Sequence, residues 1–271
     1  MIQNYLTVDV EDYFQVSAFE GVIRPEQWGT FTPRVVENTR RILDLLDEHQ
    51  VKATFFVLGW TAAAFPELVK EIDGRGHEIA CHSYYHRLIY NLTPAQFRED
   101  TRQARDVLQQ ITGKPVRGYR APSYSITNRS YWALEILAGL GFEFDSSIFP
   151  IYHDRYGIPG APRFRHKIQG HNLFEYPIST ARLGRFNVPA AGGGYFRIFP
   201  YCITRRCLAS INIQEQQPFV FYLHPWELDP EQPRVNKTGI LSRFRHYINL
   251  DKTAERFRRL LSDFEFIPVH G

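Results

Sequence analysis

Ala53-Thr54-Phe55-Phe56-Val57-Leu58 carries one hydroxyl and no charge over six residues. That composition, rich in aromatic and β-branched side chains, reads as a buried strand. Before it, in residues 33–49, Val36, Ile42, Leu43, Leu45 and Leu46 recur among charges at helical spacing. After it, residues 66–75 form a helix stopped near Gly74 and Gly76, and residues 78–81 form the next strand. The rhythm continues outward. Residues 5–10 are strand-like. Thr93 opens a helix with Pro94 at its first position and Leu108 near its end. Residues 116–120 read as strand, 131–140 as helix, 142–145 as strand and 219–223 as strand. An amphipathic helix over 252–264 precedes a last strand at 266–269. Such alternation predicts an α/β fold with a parallel sheet or barrel.

Titratable residues fall just after the strands: Asp9, Glu11 and Asp12; His82 and His86; Arg120 to Tyr124; Asp145; His224. In α/β barrels the carboxyl ends of the strands build the active site, so these clusters are expected on one rim. Residues 150–201 break the rhythm with Gly, Pro, Arg and aromatics, and read as strands and long loops flanking the site. The chain is expected to form one domain over 1–271. Its 271 residues suffice for a full core, and 44% hydrophobic with 23% charged residues is ordinary for a globular protein. A formal charge of +3 is too mild for a nucleic-acid partner. The basic run 197–206 reads as a solvated face. Cys81, Cys202 and Cys207 form no C-x-x-C pair, so no disulfide framework is expected. No apolar run reaches the ~20 residues of a membrane helix, and no basic-then-apolar leader opens the chain. A cytoplasmic location is the default expectation.

His82-Ser83-Tyr84-Tyr85-His86 places two imidazoles four apart, which on a helical turn would put both on one face to grip a metal ion. Taken alone, such a pair is more often two separately hydrogen-bonded histidines. The Glu of an H-E-x-x-H site is missing, so a base must come from elsewhere. Asp9, Glu11 and Asp12 can supply one carboxylate as a third ligand and another as the base. A helix cap or strand-end turn explains any one of them equally well. Arg120 can hold a carboxylate in one orientation, although a surface ion pair is the commoner use of such a residue. His224 can act as an acid for a departing amine, although a lone histidine at a strand end is usually structural.

Their order decides. Thr7-x-Asp9-x-Glu11-Asp12, His82-Ser83-x-x-His86, Arg120-x-Pro122-x-Tyr124, Asp145-Ser146-Ser147 and Leu223-His224 resemble the five motifs of the polysaccharide deacetylases, carbohydrate esterase family 4 with its NodB-type domain. The motifs span residues 6–226. The opening Asp9-Val10-Glu11-Asp12-Tyr13-Phe14 and the later His224-Pro225-Trp226-Glu227 look most like the branch found beside exopolysaccharide and exosortase gene clusters. The resemblance implies a distorted (β/α)7 barrel and a hydrolase of carbon–nitrogen bonds that removes N-acetyl groups from a polysaccharide or oligosaccharide. It implies Zn2+, or Co2+, Ni2+ or Fe2+, on His82, His86 and either Glu11 or Asp12. It implies Asp9 as base held by Arg120, His224 as acid supported by Asp145, and the Tyr124 backbone amide as oxyanion donor. Trp226, Tyr84, Tyr85 and Tyr195 are candidate sugar contacts. Two departures stand out: Val10 replaces the second of two adjacent aspartates, and Phe149 stands where the fourth motif usually has Trp. The other readings carried forward are a hydrolase of a small amide such as allantoin and a non-catalytic glycan-binding barrel. Envelope-associated action is compatible with the resemblance, and the oligomeric state is left open.

Overall fold

The computed structural model describes residues 2–153, 155–235 and 239–270. Its strands in chain order are β1 (Gln3–Val10), β2 (Thr54–Val57), β3 (Glu78–Cys81), β4 (Gly118–Tyr119), β5 (Phe144–Asp145), β6 (His166–Lys167), β7 (Phe174–Glu175), β8 (Thr180–Leu183), β9 (Phe186–Pro189), β10 (Val220–Leu223) and β11 (Glu265–Ile267). The helices are α1 (Val35–Glu48), α2 (Gly59–Ala64), α3 (Pro66–Gly74), α4 (Pro94–Thr112), α5 (Ala133–Gly139), α6 (Gly193–Ile198), α7 (Tyr201–Gln214), α8 (Ile240–Tyr247) and α9 (Leu250–Asp263). The main sheet runs β10-β1-β2-β3-β4-β5-β7-β6, with β11 beside the start of β1. All these pairings are parallel except β6 with β7.

The apolar strands are covered on both faces. Along β2, Phe55 and Val57 join the large cluster under the helices with Ile42, Leu46 and Leu68, whereas Phe56 points into an inner cluster with Ala80, Phe144 and Tyr222. Strand β10 divides the same way, with Phe221 and Leu223 outward and Val220 and Tyr222 inward. A strand buried on both faces has no polar alternation to show, which is why 53–58 reads as one apolar block. Each fully buried Phe contributes on the order of 1.5–3 kcal/mol. Helix α4 begins with a capping box: Gln96 N–H donates to Thr93 Oγ1 (3.3 Å), and Thr93 N–H donates to Gln96 Oε1 (2.9 Å). It ends at Gly113, whose φ is 68°.

The barrel closes irregularly between β7 and β10. Val220 N–H donates to Ser179 Oγ (2.8 Å), and Tyr222 N–H donates to the Ala191 carbonyl (3.1 Å). Gly192 makes this seam fit. Its φ is 129°, and a Cβ there would lie 1.9 Å from the Tyr222 carbonyl oxygen. The glycine run therefore serves close approach to β10. Among the described residues no helix is long and apolar enough to cross a membrane.

Candidate active site

Strand β1 stops at Val10, where the chain turns sharply and Glu11 N–H donates to the Asp9 carbonyl (3.0 Å). Asp9 and Glu11 both line a cavity of about 240 Å³ at the rim. Asp12 has other partners. Its Oδ1 accepts Tyr13 N–H (2.9 Å), and its Oδ2 accepts the N–H groups of Arg34 (2.7 Å) and Val35 (2.9 Å) at the start of α1. There it satisfies helix-end donors and complements the helix dipole.

His82 and His86 follow β3, but not on a helix. Ser83 (φ 61°) and His86 (φ 54°) are in the left-handed region, and these turns bring the two rings to 5.3 Å. The distorted loop is held by Ser83 Oγ, which accepts His86 N–H (3.1 Å), and by Asp100 of α4, which accepts Tyr84 N–H (2.7 Å) and Tyr85 N–H (3.3 Å). The four-residue spacing therefore works through backbone strain of the kind that collects at functional sites. His82 Nδ1 donates to the Arg120 carbonyl (2.8 Å), which leaves Nε2 as the lone-pair nitrogen.

Glu11, His82 and His86 offer ligand atoms all within 4.8 Å of one another, the one such group of His, Cys, Asp and Glu among the described residues. Glu11 Oε2 lies 2.8 Å from His86 Nε2, yet it is buried with no hydrogen bond of normal geometry. Such an orphaned oxygen beside two imidazoles fits a shared divalent cation. Burial opposes the charge on Glu11, but His86, His224 and His82 outweigh it and hold the carboxyl well below its usual range. Burial pushes His82 down to about 4, so it is neutral and able to bind a metal.

Asp9 is held from below by Arg120, a fully buried guanidinium. Arg120 Nη1 donates to Asp9 Oδ1 (2.7 Å) and Thr7 Oγ1 (2.8 Å), while Nε and Nη2 donate to the Ser146 carbonyl (3.1 Å) and Ser146 Oγ (2.8 Å). His224, just beyond β10, faces these groups, with Nε2 3.8 Å from Asp9 Oδ2 and 3.4 Å from Glu11 Oε1. Burial alone would lower its pKa. Glu11, Glu227 and Asp9 more than reverse that and raise it to about 9.

Three expectations change here. The acid supporting His224 is Glu227, whose Oε1 sits 2.5 Å from His224 Nδ1. Asp145 instead accepts from Ser147 Oγ (2.6 Å) and couples to Glu175, burial raising the pKa of both. Glu227 could have been found in His224-Pro225-Trp226-Glu227, because a single turn folds a carboxylate back onto a residue three earlier. Arg197, in the run read as a solvated face, is 2% exposed; its Nε donates to Glu227 Oε2 (2.7 Å) and its Nη1 to the His246 carbonyl (2.7 Å). Trp226 is 5% exposed and lines the cavity, and its Nε1–H donates to Glu11 Oε1 (3.2 Å). The Tyr124 amide donates to the Ala121 carbonyl (3.1 Å) and so already has an acceptor.

Residues 26–144 match the family model for polysaccharide deacetylase, and residues 146–271 match a domain of unknown function, DUF3473. A peptidoglycan-N-acetylglucosamine deacetylase of Bacillus cereus is 37% identical over 101 residues, 37% of this chain and 37% of that protein. The matches cover under half the length of the curated relatives. A Mycobacterium smegmatis structure assigned as a polysaccharide deacetylase superposes with a TM-score of 0.61 at 19% identity, over 97% of this chain and 85% of that one. A Bacillus anthracis structure described as a family 4 pseudoenzyme does so at 0.51 and 16%, over 99% and 64%. The fold is thus the distorted barrel of the polysaccharide deacetylases. The main sheet takes β1 to β5 from before residue 146 and β6, β7, β10 and β11 from the DUF3473 segment, whose β8 and β9 pair separately. Fold alone does not fix activity, since one neighbour is a pseudoenzyme.

Proposed function

We propose that the protein is a metal-dependent polysaccharide N-deacetylase that releases acetate from N-acetylated amino-sugar units. One observation carries this: the Glu11, His82 and His86 donors converge beside an arginine-held Asp9 and a His224 raised to about 9. A divalent ion on those donors, Zn2+ by their chemistry with Co2+, Ni2+ or Fe2+ as alternatives, would lower the pKa of water and polarise the acetamide. Asp9, oriented by Arg120, takes the proton of the attacking water. The hydroxide oxygen bonds to the acetyl carbon, the C–N bond breaks, and His224 gives its proton to the leaving amine. The products are acetate and a free amino sugar. The likeness of 224–227 and 9–14 to the exopolysaccharide-associated branch makes an exopolysaccharide the proposed polymer, with residues 1–271 acting as one catalytic unit.

Purified protein is expected to release acetate from N-acetylglucosamine oligomers, and a chelator is expected to stop it. Metal-loaded protein that yields no acetate from these oligomers or from N-acetylated exopolysaccharide would overturn the reading.

A further inference from the structure

Glu11 is the only acidic member of the three-donor group, and its two oxygens have different surroundings. Oε2 lies against His86 Nε2 with no hydrogen bond, whereas Oε1 accepts the Trp226 indole N–H at 3.2 Å. A buried carboxylate with free rotation about its last bond could present either oxygen, or both. The indole removes that freedom by engaging one of them.

Trp226 is itself tightly fixed. Its ring stacks on His246 (centroids 4.2 Å apart, planes at 14°) and on His224 (5.2 Å, 23°). The Arg197 guanidinium lies over it at 5.1 Å. Arg197 is anchored in turn to Glu227 and to the His246 and Ile248 carbonyls, and His246 Nε2 is bonded to Gln232 Oε1 at 2.7 Å. Every one of these residues lies in the DUF3473 segment, while Glu11, His82 and His86 lie before it.

We infer that Trp226 is a positioning residue for the metal: its N–H holds Glu11 Oε1 so that Oε2 alone faces the cation. The segment of unknown function thereby sets the affinity of donors that it does not itself supply. This rests on the metal reading above but not on the deacetylation step. A hydrogen-bond partner behind a ligand typically contributes about 10–100-fold in metal affinity.

The test measures Zn2+ affinity by competition with a chromophoric chelator in three full-length proteins: wild type, Trp226→Phe, and one carrying a benzothienyl analogue of tryptophan at 226. The analogue keeps the shape of the indole and replaces the N–H with sulfur. About 10–100-fold weaker binding is expected in both altered proteins. Wild-type affinity in the analogue protein would overturn the inference, because it would reduce Trp226 to packing, and this arm stands even if Trp226→Phe does not fold. Absence of Zn2+ binding by the wild type would instead defeat the metal reading, so the two failures are distinguishable.

Discussion

The site contains two buried arginines, each clamped on a carboxylate, one from each half of the chain. Arg120 holds Asp9 at 2.7 Å, and Arg197 holds Glu227 at 2.7 Å. Their side chains are 0% and 3% exposed. Their tasks differ. Arg120 orients an acid that faces the cavity directly, whereas Arg197 acts through Glu227 on His224 and through its ring contact on Trp226. In the proposed reaction the first clamp therefore serves the proton acceptor and the second serves the proton donor. The proposed reaction draws on both halves of the chain, although the motif-rich first half is the easier one to read.

The largest expected effect tests the first clamp. Asp9→Asn keeps a side chain that can still meet Arg120 but removes the base, so acetate release should fall about 10²–10⁴-fold. Bound Zn2+, measured by elemental analysis, should remain near wild type, because Asp9 is not among the three donors. Loss of the metal along with the rate would mean that Asp9 is a ligand and that the assignment of Glu11 is wrong.

Arg197→Ala probes the second clamp through stability. It leaves Glu227 ionised, buried and without its guanidinium, and it frees the carbonyls of His246 and Ile248. Breaking a buried pair in this way costs about 3–5 kcal/mol, read by urea unfolding. Arg120→Ala should cost a similar amount. If Arg197→Ala costs under about 1 kcal/mol, the two clamps are not equivalent and the second is decoration.

Why was the first clamp legible and the second hidden? Arg120 sits in a motif directly after a strand, where a charge has to be explained. Arg197 stands at the head of a basic run in which Arg205 pairs on the surface with Asp263, and nothing local marks one arginine of the run as buried. Glu11 and Asp12 were inseparable for a similar reason. Strand alternation cannot be carried past Val10, because the chain turns there, and only the start of α1, 22 residues on, shows that Asp12 serves helix-end amides. His82 and His86 were found by spacing, though their convergence comes from left-handed turns rather than a helix. Apolar blocks located β1, β2, β3 and β10 well. The extent of β4 was not legible: five strand-like residues yield two paired ones, because ladder length is set by neighbours and not by propensity.

Glu227→Gln separates the electrostatic part of the second clamp from its packing. In metal-free protein, His224 is raised to about 9 by Glu11 first, then Glu227, then Asp9, against the opposing effect of burial. Its folded pKa thus exceeds the ~6.5 of the unfolded chain. The stability this contributes is fully present below ~6.5 and is lost as pH rises through about 9. A neutral Gln takes away one contribution and leaves Glu11 and Asp9, so the His224 titration followed by NMR should move down without reaching the unfolded value. The loss of stability between those two pH values should shrink accordingly. An unchanged titration would show that the short contact between His224 and Glu227 carries no charge coupling.

Arg102 supplies the control that ties the effects of both clamps to burial rather than to ion pairing as such. It pairs with Glu99 (2.7 Å) and Asp106 (2.9 Å) on α4, distances close to those of the clamps, but its side chain is 48% exposed. Water and salt screen such pairs, and holding the long side chains in register offsets much of the attraction. Arg102→Ala should therefore leave the urea unfolding midpoint close to that of the wild type and acetate release unaltered. A loss comparable to that of Arg197→Ala would remove burial as the distinguishing variable, and the contrast between clamped and surface arginines would have to be sought in the architecture of α4 instead.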